Sequence, residues 1–363
     1  MPGVYGLKNN LLFMIYDLKS LKDADVKNKT VLLRADLDVP IESGKILDTT
    51  RLKAWSPTLK YLLKNQAQVF IAGHLGRPKD EDEKFSLKPV AEWIKKSLEL
   101  GNKLKAIDIN GFKTWAITEN VFLLENLRFY KGEEENDKKF SKKLASLAEI
   151  YVNDAFASSH RDHASIDGVT EYLPHFAGFR LQKEVEVLSG ILKNPKRPLV
   201  VIIGGAKMKT KLPLVEKMHH IADFVLVGGE IASHVKELIK VQHEKISGKK
   251  SVVLVADLQD NGLDITEKSA QNFVQIIQNG ATIVWNGPLG QTGKNPETEK
   301  GTLVVAKAII SSKAYSVVGG GDTLSFLKQK NLLGGFGFVS TGGGAMLEFL
   351  SGKELPAIKP LLT

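Results

Sequence analysis

Residues 153–165, NDAFASSHRDHAS, crowd two histidines, an arginine and two aspartates into one short stretch. His160, Asp162 and His163 are residue types that ligate divalent metals through imidazole nitrogen and carboxylate oxygen. Arg161 between them points elsewhere, because a planar guanidinium forks onto phosphate or carboxylate. The stretch alone leaves both readings open. Asn153 and Asp154 are expected to shape the turn rather than to bind.

The N-terminal half holds more of the same chemistry. Arg34, Arg51, Arg77, Arg128 and Arg161, with His74, His160 and His163, form a large cationic set, mostly at the ends of apolar runs. The C-terminal half ends its apolar runs in glycine instead: GGAK (204–207), VGGE (227–230), NGPLG (286–290), GGGDT (319–323) and STGGGA (340–345). Glycine lets backbone N–H groups approach a phosphate, and a following helix N-terminus favours negative charge. In GGGDT, Asp322 could hold phosphate-bound Mg²⁺ and Thr323 could donate to a phosphate. Lys207 and Lys211 lie four apart, on one face of a helix if it starts there. A Walker A loop is absent, since GPLGQTGKN has the wrong spacing, and no GxGxxG follows a strand. A single glycine turn is commonplace; five in one half favour a nucleotide.

Elements must present these groups at strand ends. Apolar runs at 30–37, 68–75, 120–127 and 149–156, then at 198–205, 223–229, 251–257, 281–288, 315–321 and 336–341, read as strands. Amphipathic stretches between them, such as RLKAWSPTLKYLLKN, SLKPVAEWIKKSLEL and NDKKFSKKLASLAE, read as helices. Continuous apolar strands alternating with helices predict an α/β chain whose parallel sheets are covered on both faces, a three-layer αβα arrangement. Ligands of such sheets sit at the carboxyl ends of strands, so two kinds of strand end predict two ligands. The expected division is 1–178, an interdomain helix at 179–195, and 196–349.

Composition sets wider bounds. The chain has 363 residues, 43% hydrophobic and 25% charged, enough for two cores. A net charge of +9 suits anionic small substrates and nucleic acid alike. A nucleic-acid groove predicts exposed interleaved aromatics or a known motif, and neither is evident. With no cysteine, disulfides and thiolate chemistry are excluded and a cytoplasmic location is expected. The run LLFMIY at 11–16 is too short for a signal segment, and no run approaches the ~20 apolar residues of a membrane span. Residues 1–14 read as a short extension.

From about residue 18 onward the chain resembles the phosphoglycerate kinase family. Eight blocks occur in family order: RADLDVP, HLGRP, LLENLRFYKGEEEND, YVNDAFASSHRDHAS, GGAKMKTKL, IVWNGPLG, GGGDT and STGGGAMLEFLSGKELP. The resemblance implies two Rossmann-like domains joined by a hinge, with 3-phosphoglycerate on the first and Mg-ADP or Mg-ATP on the second. It implies a phosphotransferase with a carboxyl acceptor, moving a phosphoryl group reversibly between 1,3-bisphosphoglycerate and ADP in glycolysis. A monomer acting without nucleic acid or membrane is the matching expectation, and the tail 350–363 is expected to pack back on the first domain.

Carried over by resemblance, Asp36 and Asp38 bind the glycerate, while His74, Arg77, Arg128 and Arg161 hold its 3-phosphate. Arg51 lies near the carboxyl and the transferring group, with His160 and His163 in the surrounding basic patch. Lys207 and Lys211 face nucleotide phosphates, Gly205 and Ala206 are nucleotide-binding, Asn286, Gly287 and Pro288 form a nucleotide loop, and Gly228 and Gly229 an adenine-side turn. Gly321, Asp322 and Thr323 take phosphate and Mg²⁺, and Gly342, Gly343 and Gly344 open the last helix toward the phosphates. Arg51, Lys207, Gly343 and Gly344 are the expected catalytic groups. A carboxylate nucleophile is ionised at neutral pH, so positioning and charge stabilisation suffice without a general base. Closure about 175–198 is expected to exclude water from the acyl phosphate.

The resemblance assigns Arg161 to an anion and moves the metal to Asp322. The chain departs from the family pattern at Asp38, where asparagine is usual, at Glu230, where a third glycine is usual, and at Gly293, which stands where a ribose-binding glutamate is usual. Glu297 and Glu299 are candidate substitutes. Asp162 replaces a small neutral residue.

Overall fold

The computed structural model describes residues 17–99, 104–242 and 251–363; the 11–16 run and the 1–14 extension lie outside the described residues. The chain divides into two compact α/β units. One runs to Glu186 and includes Glu354–Thr363; the other is Val187–Lys353.

The first unit is built on β1 (Thr30–Arg34), β4 (Gln68–Ala72), β5 (Lys105–Ile109), β6 (Phe112–Ala116), β7 (Val121–Leu124), β8 (Ile150–Asn153) and β9 (His175–Ala177), with a small hairpin of β2 (Ile41–Glu42) and β3 (Lys45–Ile46). The sheet order is β5-β6-β7-β4-β1-β8-β9. Successive residues of β1 feed opposite faces: Val31 and Leu33 pack with Leu52, Trp55 and Leu59, whereas Leu32 packs with Phe70, Leu144 and Tyr151. Helices α1 (Thr50–Lys64), α2 (Lys88–Ser97), α3 (Lys131–Glu134) and α4 (Lys138–Ala145) cover the faces.

Register matters most for the site. Arg34 of β1 pairs with Ala72 of β4 and Asn153 of β8, so the carboxyl ends of three adjacent parallel strands finish level. The loops leaving them carry Asp36 and Asp38, His74 and Arg77, and His160 to His163. The neighbouring β7 delivers Arg128. The antiparallel β5–β6 pair, absent from the sequence-based reading, turns at Asn110 and Gly111, both with positive φ (52° and 74°). That Asn-Gly pair between alternating residues is the turn signal for a hairpin.

The second unit contains β10 (Leu199–Ile203), β11 (Phe224–Val227), β12 (Val252–Val255), β13 (Thr282–Asn286), β14 (Tyr315–Gly319) and β15 (Phe338–Val339), all parallel, in the order β12-β11-β10-β13-β14-β15. Every residue of β10 is buried, as a central strand covered on both faces requires. Its helices are α6 (Met208–Ile221), α7 (Ile231–Gln242), α8 (Glu267–Gln278), α9 (Lys300–Ser311), α10 (Gly321–Gln329) and α11 (Gly343–Leu350).

Helix α5 (Phe179–Lys193) contains the boundary between the units. Its first N–H groups are satisfied from the residue that follows β8: Asp154 Oδ1 accepts from Arg180 N at 2.7 Å and Leu181 N at 3.0 Å. Asn153 Oδ1 closes its own turn on Ala155 N at 3.0 Å. The chain terminus is tied to the first unit by Lys19 N donating to Leu361 O at 2.9 Å and Ala357 N donating to Ser159 O at 3.2 Å.

Candidate active site

In the first unit, Arg34 turns inward and is fully buried. It donates from Nε to Ser165 Oγ at 2.8 Å, from Nη1 to Ala35 O at 2.7 Å, and from Nη2 to His74 Nδ1 at 3.0 Å. A guanidinium only donates, so His74 accepts at Nδ1 and carries its proton on Nε2. Burial first, then Arg34, Arg128 and Arg161, hold His74 well below the usual imidazole range. His74 is therefore a neutral, oriented donor. Arg34, grouped from sequence with the other strand-end cations, is the buried scaffold beneath it.

The scaffold continues to α3. Ser165 Oγ donates to Glu133 Oε1 at 2.6 Å, and His163 Nδ1 lies 3.7 Å from the same oxygen. Burial works against the Glu133 charge, but His163, Arg34 and Ser165 outweigh it and the carboxyl is lowered. Asp162 accepts from Asn136 Nδ2 at 2.6 Å, which gives this residue a local role in the loop. His163 and Asp162 are thus committed to different partners. Among the described residues no three metal-ligating side chains gather.

Around this scaffold sit the remaining predicted residues. Asp38 Oδ1 accepts from Gly76 N at 2.9 Å, fixing the HLGRP loop where Gly76 has φ of 61°. Its other oxygen is 3.6 Å from Arg51 Nη1, which donates to Asp38 O at 2.6 Å. Arg51 itself rides in the first turn of α1, whose start is held by Asp48 accepting from Thr50 N at 2.8 Å. Asp36 accepts from Ala157 N at 3.1 Å, and burial raises its carboxyl against the pull of Arg51 and Arg34.

Arg128 is buried, with Nη1 on Gly76 O at 2.5 Å and Nε 3.0 Å from Glu134, while Nη2 has no hydrogen-bond partner among the described residues. Arg161 is lowered by burial and then by the like charge of Arg77. Neither Arg77 nor Arg161 has a carboxylate ion pair among the described residues. Uncompensated guanidiniums beside an orphaned buried N–H group make a cradle for a polyanion.

The second unit has a cleft of 340 Å³ lined by Gly205, Ala206, Gly229, Glu230, Gly262, Leu263, Pro288, Gly290, Gln291, Thr292 and Asp322. Close backbone packing shapes it. A Cβ on Gly287, where φ is 96°, would stand 2.0 Å from Gly204 O, so the β10 and β13 loops meet only through glycine. Similarly, a Cβ on Gly343 would stand 2.8 Å from Gly320 Cα.

Lys207 is exposed just before α6, whereas Lys211 is buried one turn on and donates to Asn286 O at 3.0 Å and Asn286 Oδ1 at 2.5 Å. Burial lowers Lys211 to about 7, against the attraction of Asp322. Asn286 and Thr323, expected from sequence in the nucleotide loop and as a phosphate donor, take partners within the unit. Asn286 is buried on Lys211, and Thr323 is buried with Oγ1 accepting from Gly287 N at 3.0 Å. Both tie the glycine loops together. Gly228 is packed beneath Leu289, while Gly321, Gly342, Gly343 and Gly344 open α10 and α11.

One unit thus carries cationic strand ends and the other a glycine-walled cleft. The family model for phosphoglycerate kinase matches residues 21–257 and 234–353. The chain belongs to the phosphoglycerate kinase family. The phosphoglycerate kinase of Finegoldia magna is 40% identical over 389 residues, covering 94% of this chain and 98% of that one. That of Leptospira biflexa is 37% identical over 390 residues, covering 95% and 98%. Among solved structures, the phosphoglycerate kinases of Coxiella burnetii and Pyrococcus horikoshii each superpose with a TM-score of 0.77, at 35% and 30% identity, covering 95% of this chain and 98% of theirs. The family is one of kinases that transfer phosphate to a carboxyl acceptor.

Within this family pattern, neither substitute for the missing ribose glutamate reaches the cleft. Glu299 is buried on Lys330 and Gly293 N, and Glu297 pairs with Lys300. Sequence reasoning missed Gly262, Leu263, Gln291 and Thr292 as cleft residues. Their only signal is position beside the glycine turns. It also missed Ser165 and Glu133, whose roles depend on a contact between segments 32 residues apart.

Proposed function

We propose that the chain transfers a phosphoryl group reversibly between 1,3-bisphosphoglycerate and ADP, giving 3-phosphoglycerate and ATP. The observation that carries the substrate is the cluster of Arg77, Arg161 and the unpartnered Arg128 Nη2, which suits a phosphate monoester. His74 adds a neutral Nε2–H donor, and Arg51, beside Asp36 and Asp38, faces the carboxyl end of the same ligand. The carboxylate attacks as it stands, so no side chain need take its proton.

On the nucleotide side, glycine-loop N–H groups and the lysines Lys207 and Lys211 receive phosphates. Asp322 fits a hard divalent cation, since it is exposed in the cleft and has no ion pair among the described residues. Bound with the nucleotide, Mg²⁺ would neutralise charge on the phosphate oxygens. Transfer requires the two ligands to be brought together, a task we assign to bending about α5. A cytoplasmic monomer is the matching proposal; no described helix is long and apolar enough to cross a membrane.

A coupled assay with 3-phosphoglycerate and Mg-ATP tests the reading. Saturable turnover is expected, and Arg51→Ala should lower kcat by about a hundredfold or more. Folded protein that binds both ligands without turnover would overturn it.

A further inference from the structure

Among the described residues, the cleft of the second unit is lined by two carboxylates, Asp322 and Glu230. They occupy different strand ends. Glu230 follows β11 and Asp322 follows β14, and the order β11-β10-β13-β14 puts three strand spacings between them. At ~4.8 Å per spacing that is roughly 14 Å. The separation is comparable with a metal ion, a diphosphate chain and a ribose laid end to end.

Glu230 is exposed and takes no hydrogen bond or ion pair from any described residue. It does not cap α7, whose first turn is tied instead by Ile231 N to Gly205 O and Ala232 N to Gly229 O. The other acids near the cleft are committed: Glu299 is buried on Lys330, Glu297 pairs with Lys300, and Asp264 accepts from Gly301 N and Ile265 N. Leu263 and Pro288 supply apolar wall for a base plane. The free carboxylate is left for a polar donor.

Resting on the nucleotide reading above, we infer that Glu230 is the ribose-recognition residue of this cleft, accepting hydrogen bonds from the 2′- and 3′-hydroxyls. A carboxylate only accepts, and its two oxygens match two adjacent hydroxyl donors. Three strand spacings from Asp322, its charge is kept away from the cation end of the cleft.

Calorimetric titration of the full chain with ADP, 2′-deoxy-ADP and 2′,3′-dideoxy-ADP tests this. The wild type should bind ADP roughly 10- to 100-fold more tightly than the dideoxy analogue. Glu230→Ala should bind the two alike, and Glu230→Gln should recover part of the preference. Discrimination that persists in Glu230→Ala, or is absent from the wild type, overturns the assignment. So does a variant that changes only the preference between ADP and GDP, which would place the carboxylate on the base. Failure of the wild type to bind ADP would overturn the nucleotide reading itself, a distinct result. Because Glu230 is exposed, thermal melting of the variant should match the wild type.

Discussion

Raising the ligand-free protein to pH 8 should leave the Lys211 ammonium mostly deprotonated, because burial has brought its pKa down to about 7. About one-tenth of the molecules would carry the charge at that pH. Its partners are the two oxygens of Asn286, with Asp322 favouring and Lys207 opposing the charged form. A nucleotide polyphosphate at the adjoining glycine loop adds strong negative charge and should return the lysine toward its ordinary value of 10.5. Binding should therefore take up about 0.9 proton per nucleotide at pH 8 and close to 0.1 at pH 6. ADP contributes little at pH 8, since the second ionisation of a phosphate lies near pH ~6. Affinity should then fall by up to about tenfold per pH unit between roughly 7 and 10. Calorimetry in two buffers of different ionisation enthalpy reads the uptake directly. Zero uptake by the wild type at pH 8, or equal uptake by Lys211→Met, would refute the placement of this amine beside the phosphates.

Other perturbations separate the two sites from the scaffold. Asp154 is fully buried and burial raises it to about 7 from 3.8, so between those values the folded chain holds a proton that the unfolded chain has released. Stability should fall as pH rises through that window, by up to about 4 kcal/mol. Asp154→Asn keeps an acceptor for Arg180 and Leu181 and should flatten the slope in denaturant melts from pH 5 to 8; an unchanged slope would count against burial as the cause. Arg128→Met should weaken 3-phosphoglycerate binding at least ~10-fold while leaving ADP affinity intact, measured by calorimetry. Gly287→Ala forces a Cβ to 2.0 Å from Gly204 O and should cost about 3 kcal/mol or more in a thermal melt. It should abolish ADP binding but spare 3-phosphoglycerate binding, and unimpaired ADP binding would show that the loops need not touch.

Sequence patterning reached most of the sheet because buried parallel strands are continuous apolar runs that need no partner to be recognised. β10 and β13 are examples, buried at every residue. It passed over β9, three residues long and paired only at an edge, and the β5–β6 hairpin, whose residues are largely exposed on β5. Site residues divide the same way. Arg77, Arg161, Lys211 and Asp322 could be singled out because a charge at a strand end is visible locally. The commitments of Arg34 to His74 and of His163 to Glu133 could not, since each spans a loop closure of many residues.

By itself, the sequence determined the two classes of strand end, cationic and glycine, and hence the expectation of an anion half and a nucleotide half. Residue type fixes hydrogen-bonding capacity and backbone freedom, and neither depends on neighbours in space. Only the tertiary structure decided which cations are available to a ligand. Burial beside Ser165 and His74 made Arg34 a support, a lack of carboxylate ion pairs among the described residues left Arg77 and Arg161 open, and burial moved Lys211 down to about 7. Charge and pKa are settled by desolvation and by partners within a few ångströms, and those partners come from strands far apart along the chain.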